Sequence, residues 1–349
     1  MSTIAIGNRL IGPQEPCFLI AEAGVNHNGD IELARQLIDA ATRAGADAVK
    51  FQTFKASRLV TPNAPKAKYQ RAATNGSESQ YEMLQRLELS LADHQELIRY
   101  CEQQGIIFLS TPFDEESADL LEELGVVAFK IPSGEISNHS YLAHIARKGK
   151  PLIISTGMSN LGEVEQAVTT VETAGNAQFT LLHCVSNYPA DPADVNLRAM
   201  HTLQTAFGAM VGYSDHTLGL EVTLAAVALG AKVIEKHFTL DRTMPGPDHQ
   251  ASLEPDELAA LVKGMRTVEM ALGHGRKQPT ASEKDTAQVA RKSLVAAKDL
   301  AAHTQLTAEM IQIKRPGTGL PPAMREYLIG RTLKSDVAAG ELLQWEMLA

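Results

Sequence analysis

Positive charge is in short supply: 32 Lys and Arg stand against 41 Asp and Glu, for a formal net charge of −9. No run of lysines or basic stripe offsets this, which excludes a general surface for nucleic acid or anionic membrane, so any anion must be held by local lysines. Nothing approaches the run of about 20 apolar residues that a bilayer span requires. The opening MSTIAIGNRLIG has neither a basic n-region nor a continuous apolar h-region, and a soluble, cytoplasmic chain is expected. Cysteine is scarce. Cys17, Cys101 and Cys184 are far apart, odd in number and outside any CxxC spacing, which fits reduced, buried thiols without chemistry. Internal repeats and low-complexity tracts are missing, as is a GxGxxG turn after the first strand-like run. The last absence argues against an open doubly wound sheet.

What is present is a regular alternation over a chain of 349 residues, enough for a barrel of about 250 residues and a small second domain. Strand-like apolar runs occur at 17–23, 46–51, 106–110, 126–131, 151–155, 178–184, 209–213 and 232–237. Stretches with helical apolar spacing separate them, and Gly45, Gly105, Gly125, Gly149, Gly175 and Gly230 supply C-terminal stops. The pattern predicts an α/β fold, a (β/α)8 TIM barrel over residues 1–273. The stretch 53–79 breaks the rhythm and is expected to be a lid on the site side. Residues 274–286 are polar and aperiodic, a linker, and 287–349 break into short pieces around the turn-rich RPGTGLPP. That tail reads as a small β domain near the lower size limit for folding alone.

In such a barrel the active site opens at the C-terminal ends of the strands, so those ends are read together. They are polar: Glu22, Lys50 with Gln52, Ser110 with Thr111, Lys130 with Ser133 and Glu135, Ser155 with Thr156, Asn187 with Tyr188, Ser214 to His216, and Glu235 with His237. Thr156, Ser159 and Ser117 are expected to be helix caps. Lys50 and Lys130 need counter-ions inside a barrel, and with the hydroxyls around them they form a bowl suited to a small polyanion bearing phosphate and carboxylate. His216 and His237 end two parallel strands joined by one helix, a placement that lets two imidazoles meet on one side. Asp215, Asp248 and His249 lie close to them in sequence. A single divalent ion with open positions, manganese, zinc or cobalt, would suit this pair.

The runs EAGVNHNGD, KFQT, STPFD, FKIPSGEI, STGM and the stretch 216–252 resemble the sialic acid (N-acetylneuraminate) synthase family, and RPGTGLPP is similar to its antifreeze-like SAF module. The resemblance implies condensation of phosphoenolpyruvate with N-acetylmannosamine, giving N-acetylneuraminate and phosphate. It places phosphoenolpyruvate on Lys50, Thr111, Lys130, Ser133, Ser155, Asn187 and Ser214, and the metal, manganese, on His216 and His237. The aminosugar would meet Gln52, Asn75, Glu135, Tyr188 and Asp248. Arg315 would reach it from the tail of a partner in a domain-swapped homodimer. Glu22 is the candidate to activate the attacking water, with Glu135 as the competing carboxylate. The stretch PGPDHQAS fits the N-acetylneuraminate branch and the legionaminate branch, whose acceptor is a 2,4-diacetamido-trideoxy-mannose, equally well. Rival readings are a Schiff-base aldolase and a non-catalytic sugar- or ice-binding protein built on the tail module.

Overall fold

Asp30 and Gly45 bracket the first long helix, α1 (Ile31–Ala44), in the computed structural model of the chain, which describes residues 3–67, 70, 71 and 78–349. The Asp30 carboxylate accepts the N–H groups of Glu32 and Leu33, while Gly45 takes the left-handed conformation at φ 84° that ends a helix without a Cβ penalty. Ala34, Leu37, Ile38 and Ala41 recur at helical spacing on the buried face.

A hairpin, β1 (Ile4–Ile6) and β2 (Arg9–Ile11), precedes the barrel. Then follow β3 (Phe18–Gly24), α1, β4 (Ala48–Thr53), α2 (Leu91–Gln104), β5 (Ile107–Pro112), α3 (Glu115–Glu123), β6 (Phe129–Ile131) and α4 (His139–Ala146). The second half runs β7 (Leu152–Ser155), α5 (Leu161–Thr173), β8 (Phe179–Cys184), α6 (Ala199–Phe207), β9 (Met210–Asp215), α7 (Glu221–Ala228), β10 (Val233–His237) and α8 (Pro255–Leu272). Parallel ladders join the barrel strands in the order β5-β4-β3-β10-β9-β8-β7-β6, and β5 packs beside β6 to close the ring. This is the (β/α)8 barrel that the alternation predicts. The expected caps are corrected. Asp114 caps α3 and takes hydrogen bonds from Ser117, three residues inside the helix; Asn160 caps α5; and the Thr156 hydroxyl donates to Leu182 O at 2.9 Å.

Side chains on a strand alternate between faces, so each barrel strand sends every second residue inward. Along that inward face the chemistry changes from bottom to top: Ile20 gives way to Glu22, Ala48 to Lys50, Leu109 to Thr111, Ala128 to Lys130, Ile153 to Ser155 and Val233 to Glu235. The lower residues form one buried cluster with Ile4, Ile6 and Ile11, so the hairpin plugs the N-terminal end of the barrel. The outward residues, among them Leu19, Val49, Ile154 and Ile234, pack against the helices in a second, larger cluster.

His274–Ala349 form a unit of their own. Within its opening polar stretch, Thr280 and Glu283 form a capping box that leads into a short helix, Lys284–Ala290. β11 (Ser293–Ala296) and β12 (Ile311–Lys314) pair antiparallel over a core that includes Leu294, Leu300, Leu306, Leu333 and Leu343.

Candidate active site

The upper inward layer of the barrel encloses a cavity of about 440 Å³ with four charged side chains at its base. Lys50 Nζ lies 2.6 Å from Glu22 Oε2, 2.8 Å from Thr111 Oγ1 and 3.6 Å from Glu235 Oε2. Lys130 Nζ donates to Ser155 Oγ at 2.7 Å and to Ile131 O at 3.0 Å, and lies 3.8 Å from Glu235 Oε1. Ser214 donates to that same Glu235 oxygen at 2.9 Å. Glu235 therefore sits between the two ammonium groups. All four charged residues are buried.

Identical carboxylates in one pocket are driven apart. Burial pushes Glu22 up to about 7, with the Lys50 charge working against it. For Glu235 burial acts in the same sense, but Lys130 and Lys50 together overcome it and hold the group at about 2. Separation of this kind assigns roles: Glu235 is a fixed counter-charge, and Glu22 can exchange a proton near neutrality. Its position is set by a bulge in β3 between Glu22 and Gly24. Gly24 is at φ 54°, and a Cβ there would stand 3.3 Å from Glu22 Oε1 and 3.5 Å from both Asp248 Oδ2 and Gln52 Nε2. The glycine lets these three polar groups converge. Asp248 is itself raised to about 6 by burial, with His216 and Lys50 opposing.

The rings of His216 and His237 are 5.3 Å apart between centroids, and Tyr188 packs on both, 4.0 Å from the first and 5.5 Å from the second. His216 Nδ1 lies 2.8 Å from Val185 O; a carbonyl only accepts, so Nδ1 carries a proton and Nε2 is the nitrogen that would hold an ion, while burial is outweighed by Cys184 and the Val185 carbonyl, which raise the ring's pKa. His237 Nδ1 is buried with no hydrogen-bond partner, and burial followed by the neighbouring His216 lowers its pKa well below the usual imidazole value. With Nε2 of His216 deprotonated, that nitrogen and the unpartnered His237 ring would offer two ligands to a divalent ion with open positions. Among the described residues, no group of three or more His, Cys, Asp and Glu is arranged to hold one.

Most of the residues expected at the site meet in this cavity: Glu22, Lys50, Gln52, Thr111, Lys130, Ser133, Ser155, Tyr188, Ser214, His216, His237 and Asp248 line it. Two others do not. Glu135 is half-buried on a 3-10 turn with its carboxylate accepting from Asn138 at 2.7 Å, and Asn187 is exposed while Ser186 lines the wall in its place. Asn75 lies outside the described residues, and Arg315 is exposed just after β12 in the second unit. Sequence reasoning placed Glu235 at a strand end but gave it no task; its position between two interior lysines was the missing signal. Also unforeseen is the apolar outer wall formed by Val25, Leu59, Val60, Met83, Leu84, Leu87 and Phe113. Two of these, Leu59 and Val60, come from the rhythm-breaking stretch after β4, which therefore borders the cavity.

A model of the NeuB family matches residues 37–277, and one of the SAF domain matches residues 291–349. An N,N'-diacetyllegionaminic acid synthase of Legionella pneumophila is 50% identical over 339 residues, covering 96% of this chain and 95% of that protein. A protein of the same description from Campylobacter jejuni is 50% identical over 328 residues, covering 93% of this chain and 98% of that protein. The crystal structure of an N-acetylneuraminic acid synthetase from Leptospira borgpetersenii is 38% identical with a TM-score of 0.73, covering 82% of this chain and 95% of that one.

Proposed function

The chain belongs to the NeuB family, and from that premise we propose that it condenses phosphoenolpyruvate with a 2,4-diacetamido-trideoxy-mannose, giving a legionaminate-type acid and phosphate. The observation that carries the acceptor is the 50% identity, over nearly the whole chain, to the two diacetyllegionaminic acid synthases. The apolar wall of Leu59, Val60, Met83 and Phe113 supports it, because a methyl at the sugar's sixth carbon and a second acetamido methyl suit such a surface better than hydroxyls. N-acetylmannosamine, the acceptor implied by the resemblance, is the second reading.

Lys50 and Lys130, with the hydroxyls of Thr111, Ser155 and Ser214, provide the donors for phosphate and carboxylate. The third carbon of phosphoenolpyruvate forms the new bond to the sugar's aldehyde carbon as the carbonyl π pair moves onto the aldehyde oxygen, which becomes a hydroxyl with the proton given up by the attacking water, and the second carbon is left electron-poor. Water adds there, the bond from that carbon to the bridging oxygen breaks, and phosphate departs with that oxygen and the proton of the added hydroxyl, leaving the keto group. Glu22 takes the water's proton, since a carboxyl held at about 7 is a competent base near neutrality. A divalent ion, manganese by the family resemblance, would be held by His216 and His237 and would supply polarisation of the acceptor's carbonyl oxygen. Gln52, Tyr188 and Asp248 border the space left for the sugar.

The test is phosphate release from phosphoenolpyruvate with and without the diacetamido sugar, with the product identified by mass. Release only when both substrates are present supports the reading; phosphate released from phosphoenolpyruvate alone, or no release at all, rejects it. The homodimer belongs to the same reading, with Arg315 of one chain serving the barrel of another. Inactive Arg315→Ala and His237→Ala chains should regain activity on subunit exchange, and a confirmed but inactive mixed dimer would exclude it.

A further inference from the structure

Behind the cavity, on the face of the sheet that meets the helices, Lys236 and Asp215 form an ion pair at 2.8 Å with both side chains fully buried. They are register partners on β10 and β9. Each is adjacent in sequence to one of the two imidazoles: Asp215 precedes His216, and Lys236 precedes His237. Several further hydrogen bonds surround the pair. Lys236 Nζ also donates to Thr217 O at 2.5 Å, and Asp215 Oδ1 accepts the backbone N–H and the hydroxyl of Thr217, each at 2.8 Å. Asp215 Oδ2 takes a further hydrogen bond from Thr223 on α7.

The layer around this pair is apolar, containing Tyr213, Ile234, Phe238, Leu258 and Leu261. The attraction within a buried ion pair is itself largely offset by desolvation, so the pair adds little stability beyond its hydrogen bonds to Thr217 and Thr223. What apolar packing would not supply is direction. The hydrogen bonds grip the residue before His216, the residue after it and the residue before His237, and tie all three to a helix.

We propose that Asp215 and Lys236 are positioning residues that fix the spacing of the His216 and His237 imidazoles from the far side of the sheet. The inference rests on the reading that these imidazoles hold a divalent ion. Its effect is that of an outer partner that orients metal ligands, here acting through the backbone and not through the rings.

The test is calorimetric titration of manganese alone into the metal-stripped full-length chain, with melting temperature measured alongside. In Asp215→Leu/Lys236→Met both charges leave together, so no unpaired charge remains to unfold the chain. Its manganese dissociation constant should rise about 10- to 100-fold, with a cooperative thermal transition retained at a lower melting temperature, because the Thr217 N–H and the Thr217 and Thr223 hydroxyls lose their acceptor. Thr223→Val, a milder change that removes one donor to Asp215, should weaken manganese by a smaller factor. Binding by the unaltered chain and, with equal affinity, by the folded double variant overturns this inference alone. If the double variant does not fold, unchanged affinity in Thr223→Val overturns it. No manganese binding by the unaltered chain overturns the metal reading and this inference with it.

Discussion

At the N-terminal end of the barrel, Asp47 is nearly as buried as the charges at the mouth, yet its oxygens are fully engaged. They accept the Leu19 N–H at 2.8 Å and meet Arg9 at 2.6 Å and Arg266 at 3.3 Å, and both arginines extend partly into solvent. At the opposite end Glu22 and Glu235 are buried among Lys50 and Lys130, but Glu22 Oε2 and Glu235 Oε2 are ion-paired without an aligned hydrogen bond, and His237 Nδ1 has no partner. Burial disfavours the charged carboxylate at both ends. At the floor the cost is met within the protein, whereas at the mouth part of the bonding capacity is left for something that enters. A closed floor plugged by Ile4, Ile6 and Ile11 and an open mouth are what a barrel enzyme requires.

The sharpest way to break this contrast is Glu22→Gln. It should lower kcat by about 10²- to 10⁴-fold, the usual worth of a positioned proton acceptor, with little change in melting temperature. The sign with pH follows from its position: a base works when deprotonated, so kcat/KM should climb as pH rises through about 7. That limb should flatten in the variant. Linkage gives a second sign. The folded state holds a Glu22 proton that the unfolded state has lost between about 4.5 and 7, so Glu22 costs stability as pH rises through that window, and the variant should gain on the parent there. A melting-temperature difference flat from pH 5 to 8 would contradict the buried, raised carboxyl.

Lys130→Met should act next most strongly, raising KM for phosphoenolpyruvate roughly 10- to 100-fold, as expected for charge-assisted bonds worth about 1.5–3 kcal/mol. The KM of the sugar should stay within a few-fold, and equal losses for both substrates would count against an anion bowl. Asp47→Ala should show the opposite signature. Its loss strands the Leu19 N–H and costs about 1–3 kcal/mol of stability by denaturant unfolding. The folded protein should keep kcat/KM within about twofold. A larger loss of activity would mean that the floor is coupled to the mouth.

This contrast was half legible in the sequence. Short apolar runs separated by stretches of helical spacing with glycine stops give the eight strands, and reading their last residues together brings Lys50, Lys130, Ser155, Ser214 and the two histidines to one place. Residues beyond a strand end follow their own turns, which is why Glu135 swings to Asn138 and Asn187 yields its place to Ser186. Glu235 was visible as a letter but not as a hub. Its role depends on β10 lying beside β3 and β9, with β6 across the ring, and on which charges that closure places within 4 Å. The hairpin escaped notice because strands of three residues carry too little periodicity to stand out.

The most direct measurement is the ratio of kcat/KM for 2,4-diacetamido-trideoxy-mannose to that for N-acetylmannosamine, taken at saturating phosphoenolpyruvate with manganese present. The apolar wall and the family position predict a ratio of about 10 or more, the worth of a methyl-sized group in a fitted apolar pocket. A ratio at or below one would contradict the assigned acceptor and return the chain to the N-acetylneuraminate branch.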